Sequence, residues 1–398
     1  MTENRRQAGL DGLRGLAALS VFGIHLWIYQ LPNTVELERD TWWKTLLFEG
    51  RVAFVMFFVL SGYLLYRPFA RGALGAGPRP SIRSYLLRRA ARIVPAYYLA
   101  LAGTVGLLMT AGETPGRRLI EVGQFPLFLV FGQNYSPATL LKLNAATWTL
   151  VVEAAFYLLL PIVALLALRW TYGRARAHFL LLGSLVAVGI AWNVVDYALG
   201  WGPVSSHAPP SFLPYFACGM LVALTVEWLR ARERPGLGSR ASVLLVAAAV
   251  LLLVSNGYWH ATDRSPNSFL MEAIADTGAA VAFGGLIAAT VLGTASGIRW
   301  LGWRPFAWLG EISYGLYLWH IPLIVWARGH GLLAGPALLD AALVLPVAVA
   351  VGATSWYAVE LPLMRRAAGR MKATPRERAG MDAQRSQART IALANPSP

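Results

Sequence analysis

The sequence predicts an all-α, polytopic transmembrane bundle of about ten spans with its N- and C-termini in the cytoplasm. Three observations predict it. Of 398 residues, 56% are hydrophobic and 14% charged, where soluble domains carry about a quarter charged residues. Apolar windows of roughly 18 residues or more, long enough to cross a bilayer, recur along almost the whole chain. Lys and Arg concentrate in alternate connections, as cytoplasmic loops require.

The first window, 10–29, follows a polar stretch and has no small-residue cleavage site, so it reads as a span and not as a leader. Windows 46–66 and 91–111 follow, on either side of a basic connection. Residues 120–132 (IEVGQFPLFLVFG) are apolar but short and broken by Pro126, which suits a re-entrant or interfacial piece. Windows 146–168, 178–199, 212–229, 241–259, 271–293, 306–327 and 337–358 complete the set. Residues 1–366 thus read as one membrane domain, and 367–398 as a disordered basic cytoplasmic tail facing lipid headgroups. Most of the 35 Lys and Arg lie in the N-terminus, the connections 67–92, 169–177, 230–240 and 299–304, and the tail. The net charge of +15 is therefore topogenic and excludes nucleic acid as the partner. Cys218 is the sole cysteine, which rules out an intramolecular disulfide and a cysteine metal cluster. No internal repeat and no appended soluble domain is read.

Ionisable groups inside spans are costly and mark function by default. LDGLRGLAALSVFGIHL (10–26) carries Asp11, Arg14 and His25. Arg14 and His25 lie about three turns apart on one face, about 16 Å from each other. Arg14 falls toward the cytoplasm, His25 toward the outer leaflet, and Asp11 stands one turn before Arg14. Position alone leaves each open: Arg14 snorkels beside Asp11 or binds an anion, and His25 packs or serves as a general base. RVAFVMFFVLSGYLL (51–65) puts Arg51 at the outer end of the second span and Ser61 near its inner end. Ser61 reads as a packing serine, since no Gly-x-Ser-x-Gly elbow surrounds it.

RRAARIVPAYY (88–98) sets Arg88, Arg89 and Arg92 at the cytoplasmic mouth of the third span, with Arg89 and Arg92 on one face. Topogenic charge accounts for arginines there in general, but Arg rather than Lys fills every basic position from 67 to 92. Forked guanidinium donors suit phosphate. WTLVVEAAFYLLLP (148–161) buries Glu153 among apolar neighbours, so that carboxyl must be protonated or paired. ISYGLYLWHIPL (312–323) puts His320 two residues before Pro322, and YAVELPLMRR (357–366) puts Glu360 at the inner end of the last span as a helix-end or Arg-pairing residue. Glu272, Asp276 and Glu311 read as interfacial.

In this order the five segments LDGLRGLAAL…H, FFVLSGYLL, RRAARIVPAYY, WTLVVEAAFYLLLP and SYGLYLWHIPL resemble the acyltransferase-3 family of integral-membrane O-acyltransferases, from about residue 8 to 366. The resemblance implies transfer of an acyl group, often acetyl, from acyl-CoA to a hydroxyl of a carbohydrate or sugar-bearing molecule. It implies that Arg14 and His25 are the motif Arg and His of the first helix, and Arg89 and Arg92 the Arg-x-x-Arg pair. Trp148 and Glu153 fall on the Trp-x-Leu-x-x-Glu motif, and His320 on the late His. Two positions depart from the pattern: Ala154 replaces an acidic residue that often follows the helix-4 Glu, and the terminal Glu-Arg-Pro reads Glu360-Leu361-Pro362. No esterase-like domain is expected after the tenth span.

The expected division of labour follows from this resemblance. Arg14, Arg88, Arg89 and Arg92 hold the phosphates of coenzyme A, and His25 acts as general base for direct transfer or carries the acyl group covalently, with Glu153 fixing its tautomer. His320, Trp148, Arg51, Asp11 and Tyr317 stand on the acceptor side or behind the catalytic groups. Acyl-CoA, acetyl-CoA first, is the expected co-substrate, with no permanently bound cofactor and no metal. The expected partners are acyl-CoA, a carbohydrate or glycosylated acceptor and the lipid bilayer, in the inner (cytoplasmic) membrane of a bacterium. A proton-coupled transporter of an anionic solute would use the same His, Glu and Arg groups; it predicts an inverted repeat or paired broken helices, and the sequence shows neither. A membrane scaffold predicts that replacing His25 costs no function.

Overall fold

The computed structural model describes residues 3–30, 50–114, 116–262, 268–293, 300–333 and 335–370. The expected tail beyond 370 and the side chain of Glu272 lie outside the described residues. The long helices are α1 (Glu3–Gln30), α2 (Ala53–Ala73), α3 (Ile82–Thr110), α4 (Trp148–Trp170), α5 (Ala175–Leu199), α6 (Leu213–Ala231), α7 (Ser239–Thr262) and α8 (Ser268–Leu292). After them come α9 (Arg304–Glu311), α10 (Ser313–Gly329), α11 (Ala337–Ser355) and α12 (Leu361–Arg370). Among the described residues, nine helical segments are long and apolar enough to cross a membrane, and no β-strand forms beyond one isolated bridge between Leu237 and Gly293. The expected all-α polytopic bundle is what the chain forms.

Two spans differ in detail from the sequence reading. The expected ninth span, 306–327, is divided at Ile312 into α9 and α10. There the Ser313 hydroxyl donates to the Gly310 carbonyl (2.8 Å), a side-chain bond that competes with continuation of the helix. The 17 residues of α10 rise only about 26 Å. The tenth span continues from α11 through a π-helical turn at Trp356–Glu360 into α12, so the helix passes the expected boundary at 366 and reaches Arg370. The apolar segment 120–132 makes no span; it forms a 3-10 turn (Val122–Gln124) and a five-residue helix (Phe125–Leu129).

Glycine lets the helix backbones touch where the bundle is tightest. A Cβ at Gly219 on α6 would stand 1.9 Å from the Val59 carbonyl oxygen of α2, and one at Gly62 would stand 2.1 Å from the Phe216 carbonyl oxygen. The two glycines are reciprocal, each admitting the other helix. On α1 the same device seats α9 and the turn before it: a Cβ added at Gly12 would stand 1.8 Å from the Leu301 carbonyl oxygen, and one at Gly310 of α9 would stand 1.8 Å from the Asp11 carbonyl oxygen. Close packing by small residues replaces the hydrophobic drive that lipid does not supply. Thus α1 is held along its N-terminal half by α9, while its C-terminal half lies against α10.

Gly219→Ala forces α2 and α6 apart and is expected to cost about 1–3 kcal/mol, read as a lowered Tm in detergent. Gly183→Ala on α5, where nothing lies within 4 Å of the added carbon, should leave Tm unchanged or raise it. Equal Tm values for the two variants would refute the close-packing account.

Candidate functional site

Five helices enclose one cavity that reaches from a charged end to an aromatic end. Arg14 of α1, Arg89 and Arg92 of α3, and Glu153 and Tyr157 of α4 line the charged end. Phe54 and Phe57 of α2, Thr149 of α4 and Tyr317 of α10 line the other. Ser61 precedes Phe54 in depth by two turns of α2, and Tyr157 precedes Thr149 by just over two turns of α4, about 10–12 Å in each case. The cavity therefore runs along the helix axes.

His25 and His320 stand beyond the aromatic end. His320 Nε2 and His25 Nδ1 are 3.0 Å apart, with ring centroids 5.0 Å apart. The Tyr317 ring lines the cavity and also contacts the His320 ring, centroid to centroid 5.6 Å. His320 is 1% exposed. Its Nδ1 lies 2.7 Å from the Tyr317 carbonyl, and a carbonyl only accepts, so Nδ1 carries the hydrogen. In the neutral pair His320 Nε2 must then accept, and His25 Nδ1–H donates to it. The outcome is an unprotonated His25 Nε2, which is the atom a general base needs.

Each expected site residue can now be placed. Glu153 is not the partner of the histidines: its Oε1 accepts from Ser61 Oγ (2.8 Å) and from the Tyr157 hydroxyl (2.5 Å), among the cavity arginines. The ring hydrogen-bonded to His25 is that of His320, so the structure does not put Glu153 where the expected tautomer-fixing contact requires it. Asp11 pairs with Arg14 (3.7 Å) and accepts from Gln7. Arg88 is exposed on α3 and does not line the cavity, because one residue along a helix turns a side chain by about 100° away from Arg89. Arg51 is also elsewhere, paired with Asp276 of α8 at 3.2 Å. Glu360 is fully buried in the π-turn, accepts from Ser355 Oγ (3.2 Å), and stands within electrostatic range of Arg92 and Arg14.

Trp148, the first residue of α4, packs its indole against Phe54 (5.5 Å) and Phe212 (5.0 Å) and meets the edge of His207 (5.1 Å). It separates the cavity lining from the connection between α5 and α6. In that connection His207 Nδ1 donates to the Pro203 carbonyl (2.8 Å), and burial holds the ring below the usual imidazole range. Sequence reasoning missed Tyr157, Thr149 and Asn144. A tyrosine one turn after Glu153 was the available signal for the first, while the other two depend on contacts across the fold. Among the described residues no group of three His, Cys, Asp or Glu side chains is arranged to hold a metal ion.

A family model described as an acyltransferase domain matches residues 7–358. The chain is 27% identical to YrhL of Bacillus subtilis (strain 168), covering 89% of this chain and 54% of that protein. It is 28% identical to the acyltransferase MdmB of Streptomyces mycarofaciens, over 90% and 92% respectively. It is 23% identical to the peptidoglycan O-acetyltransferase OatA of Listeria monocytogenes, over 89% and 55%. The chain thus spans about half the length of YrhL and OatA. No solved structure matches it significantly.

The Arg51–Asp276 pair predicts a stability result separate from chemistry. Arg51→Met removes one partner of a carboxylate that is 6% exposed and should lower stability by about 1–3 kcal/mol, read by denaturant unfolding in detergent. Adding Asp276→Leu should recover most of it; no recovery would refute the pairing as the cause.

Proposed function

The chain belongs to the acyltransferase-3 family, and on that premise we propose that it is a membrane-embedded O-acyltransferase. It moves an acyl group, acetyl first, from acyl-CoA to a hydroxyl of a carbohydrate or sugar-bearing acceptor, in the inner membrane of a bacterium. The supporting observation is the continuity of the cavity: three arginines at one end, and at the other a tyrosine whose ring contacts His320, which is bonded to His25. The names of MdmB and OatA fit the reading.

Arg14, Arg89 and Arg92 hold the donor phosphates, to which forked guanidinium donors bind strongly. Glu153 balances their charge while the cavity is empty and holds the Ser61 and Tyr157 hydroxyls in place. The thioester lies at the aromatic end. His25 Nε2 takes the proton of the acceptor hydroxyl as its oxygen attacks the thioester carbonyl. The tetrahedral intermediate collapses with cleavage of the C–S bond, and His25 returns the proton to the departing thiolate. An ester and free coenzyme A result, and no other reactant is consumed. His320 stabilises the imidazolium through the ring–ring hydrogen bond, and its own N–H remains on the Tyr317 carbonyl.

Coenzyme A release by purified protein tests the reaction. His25→Ala should lower it about 1,000-fold while a nonhydrolysable acyl-CoA analogue binds within about twofold of the parent. Arg89→Ala and Arg92→Ala should each weaken that binding about tenfold or more. Near-normal turnover in His25→Ala would overturn the base assignment, and analogue binding that survives loss of both arginines would overturn the phosphate assignment. Mass spectrometry of glycans and metabolites from a deletion strain would identify the acceptor by a missing acyl mass.

A further inference from the structure

Proline at 322 removes the N–H that would bond the Leu318 carbonyl four residues earlier, and its ring crowds that carbonyl. His320 lies between the two, at the point where α10 is free to bend. The Leu318 carbonyl is nevertheless paired. Asn144, 174 residues away in sequence, donates its Nδ2–H to it at 2.7 Å. The other end of the same amide accepts from the Ala146 N–H at 3.2 Å. One partner only accepts and the other only donates, so the orientation of the amide is fixed. Asn144 is 2% exposed.

The neighbouring bonds converge on the same turn of α10. The Tyr317 hydroxyl donates to the Ala146 carbonyl (2.9 Å) and lies 2.7 Å from the Thr149 hydroxyl. The Tyr317 carbonyl accepts from His320 Nδ1 (2.7 Å). The segment 144–149 therefore grips residues 317 and 318 just before the proline break. We infer that Asn144 is a positioning residue for the base: it replaces the hydrogen bond that Pro322 deletes, fixing the bend of α10 so that His320 meets both the Tyr317 carbonyl and His25 Nδ1. Asn144 touches neither substrate nor the reacting atoms. It acts through His320, which dictates the His25 tautomer.

This rests on the acyltransferase reading only for its kinetic test. Asn144→Asp is nearly isosteric and keeps the acceptor for the Ala146 N–H, but it sets an oxygen against the Leu318 carbonyl. It should lower kcat about 100-fold, as a misplacement of about 1 Å in a catalytic group does, with KM for acetyl-CoA within about twofold. Asn144→Ser, a smaller side chain that also retains a capping oxygen, should show the same split and serves if the aspartate variant does not fold. The second readout needs no reaction. In protein labelled with 15N-histidine, the His320 resonances, assigned by their loss in His320→Gln, should report Nδ1–H in the parent and a mixture of tautomers in the variant. A kcat within threefold of the parent, or an unchanged His320 tautomer in a folded variant, overturns the inference. A parent protein that turns over no thioester refutes the acyltransferase reading instead and leaves the tautomer measurement to judge Asn144.

Discussion

A guanidinium carried below the headgroups must meet its counter-charge inside the protein, because hydrocarbon supplies none. The architecture of this bundle depends on that constraint. Arg14 is met by Asp11 on its own helix. Arg51 ties the start of α2 to α8 through Asp276. Arg67 and Arg230 converge on Glu227, which is 3% exposed, and so tie the C-terminal part of α2 to that of α6. Arg89 and Arg92 instead open onto a shared cavity with Glu153. The Arg51–Asp276 and Arg67–Glu227 pairs are ties between helices; the group around the cavity faces open space instead.

Two helices set the geometry of that room. The glycines of α1 let α9 lie close against it, and the break at Ile312 then turns the chain into α10, which carries Tyr314, Tyr317 and His320 along the cavity and beyond it. A helix unbroken from 306 to 327 would have fixed the seat on α1 and the placement of His320 by a single axis. Dividing it lets α9 serve the packing and α10 serve the site. Proline at 322 adds a second degree of freedom, which Asn144 removes.

The sequence made the helical class plain, because lipid-length apolar windows leave few alternatives, and it made Arg14, His25, Arg89, Arg92 and His320 visible because charge in a span is conspicuous. It could not separate Arg88 from Arg89, since membership of a basic run carries no angular information until the helix is fixed against its neighbours. Nor could it assign a partner to Glu153: spacing along one helix says nothing about which carboxylate meets which ring from another. Arg51 looked like a site residue for the same reason that Asp276 looked interfacial, as the pair exists only across the gap between α2 and α8. Asn144 was invisible because its role is defined by an absence elsewhere, the N–H that Pro322 lacks.

The hydrogen bond from His320 to a main-chain carbonyl has a consequence for charge. A carboxylate at that place would hold a permanent negative charge and could share a proton; the Tyr317 carbonyl can do neither. A proton acquired at the His25 face can be spread over two imidazoles, but it has no onward path through the protein by way of this pair. The relay is a cul-de-sac with room for one extra proton, so under the proposed chemistry that proton must leave by the face through which it came, in the same turnover.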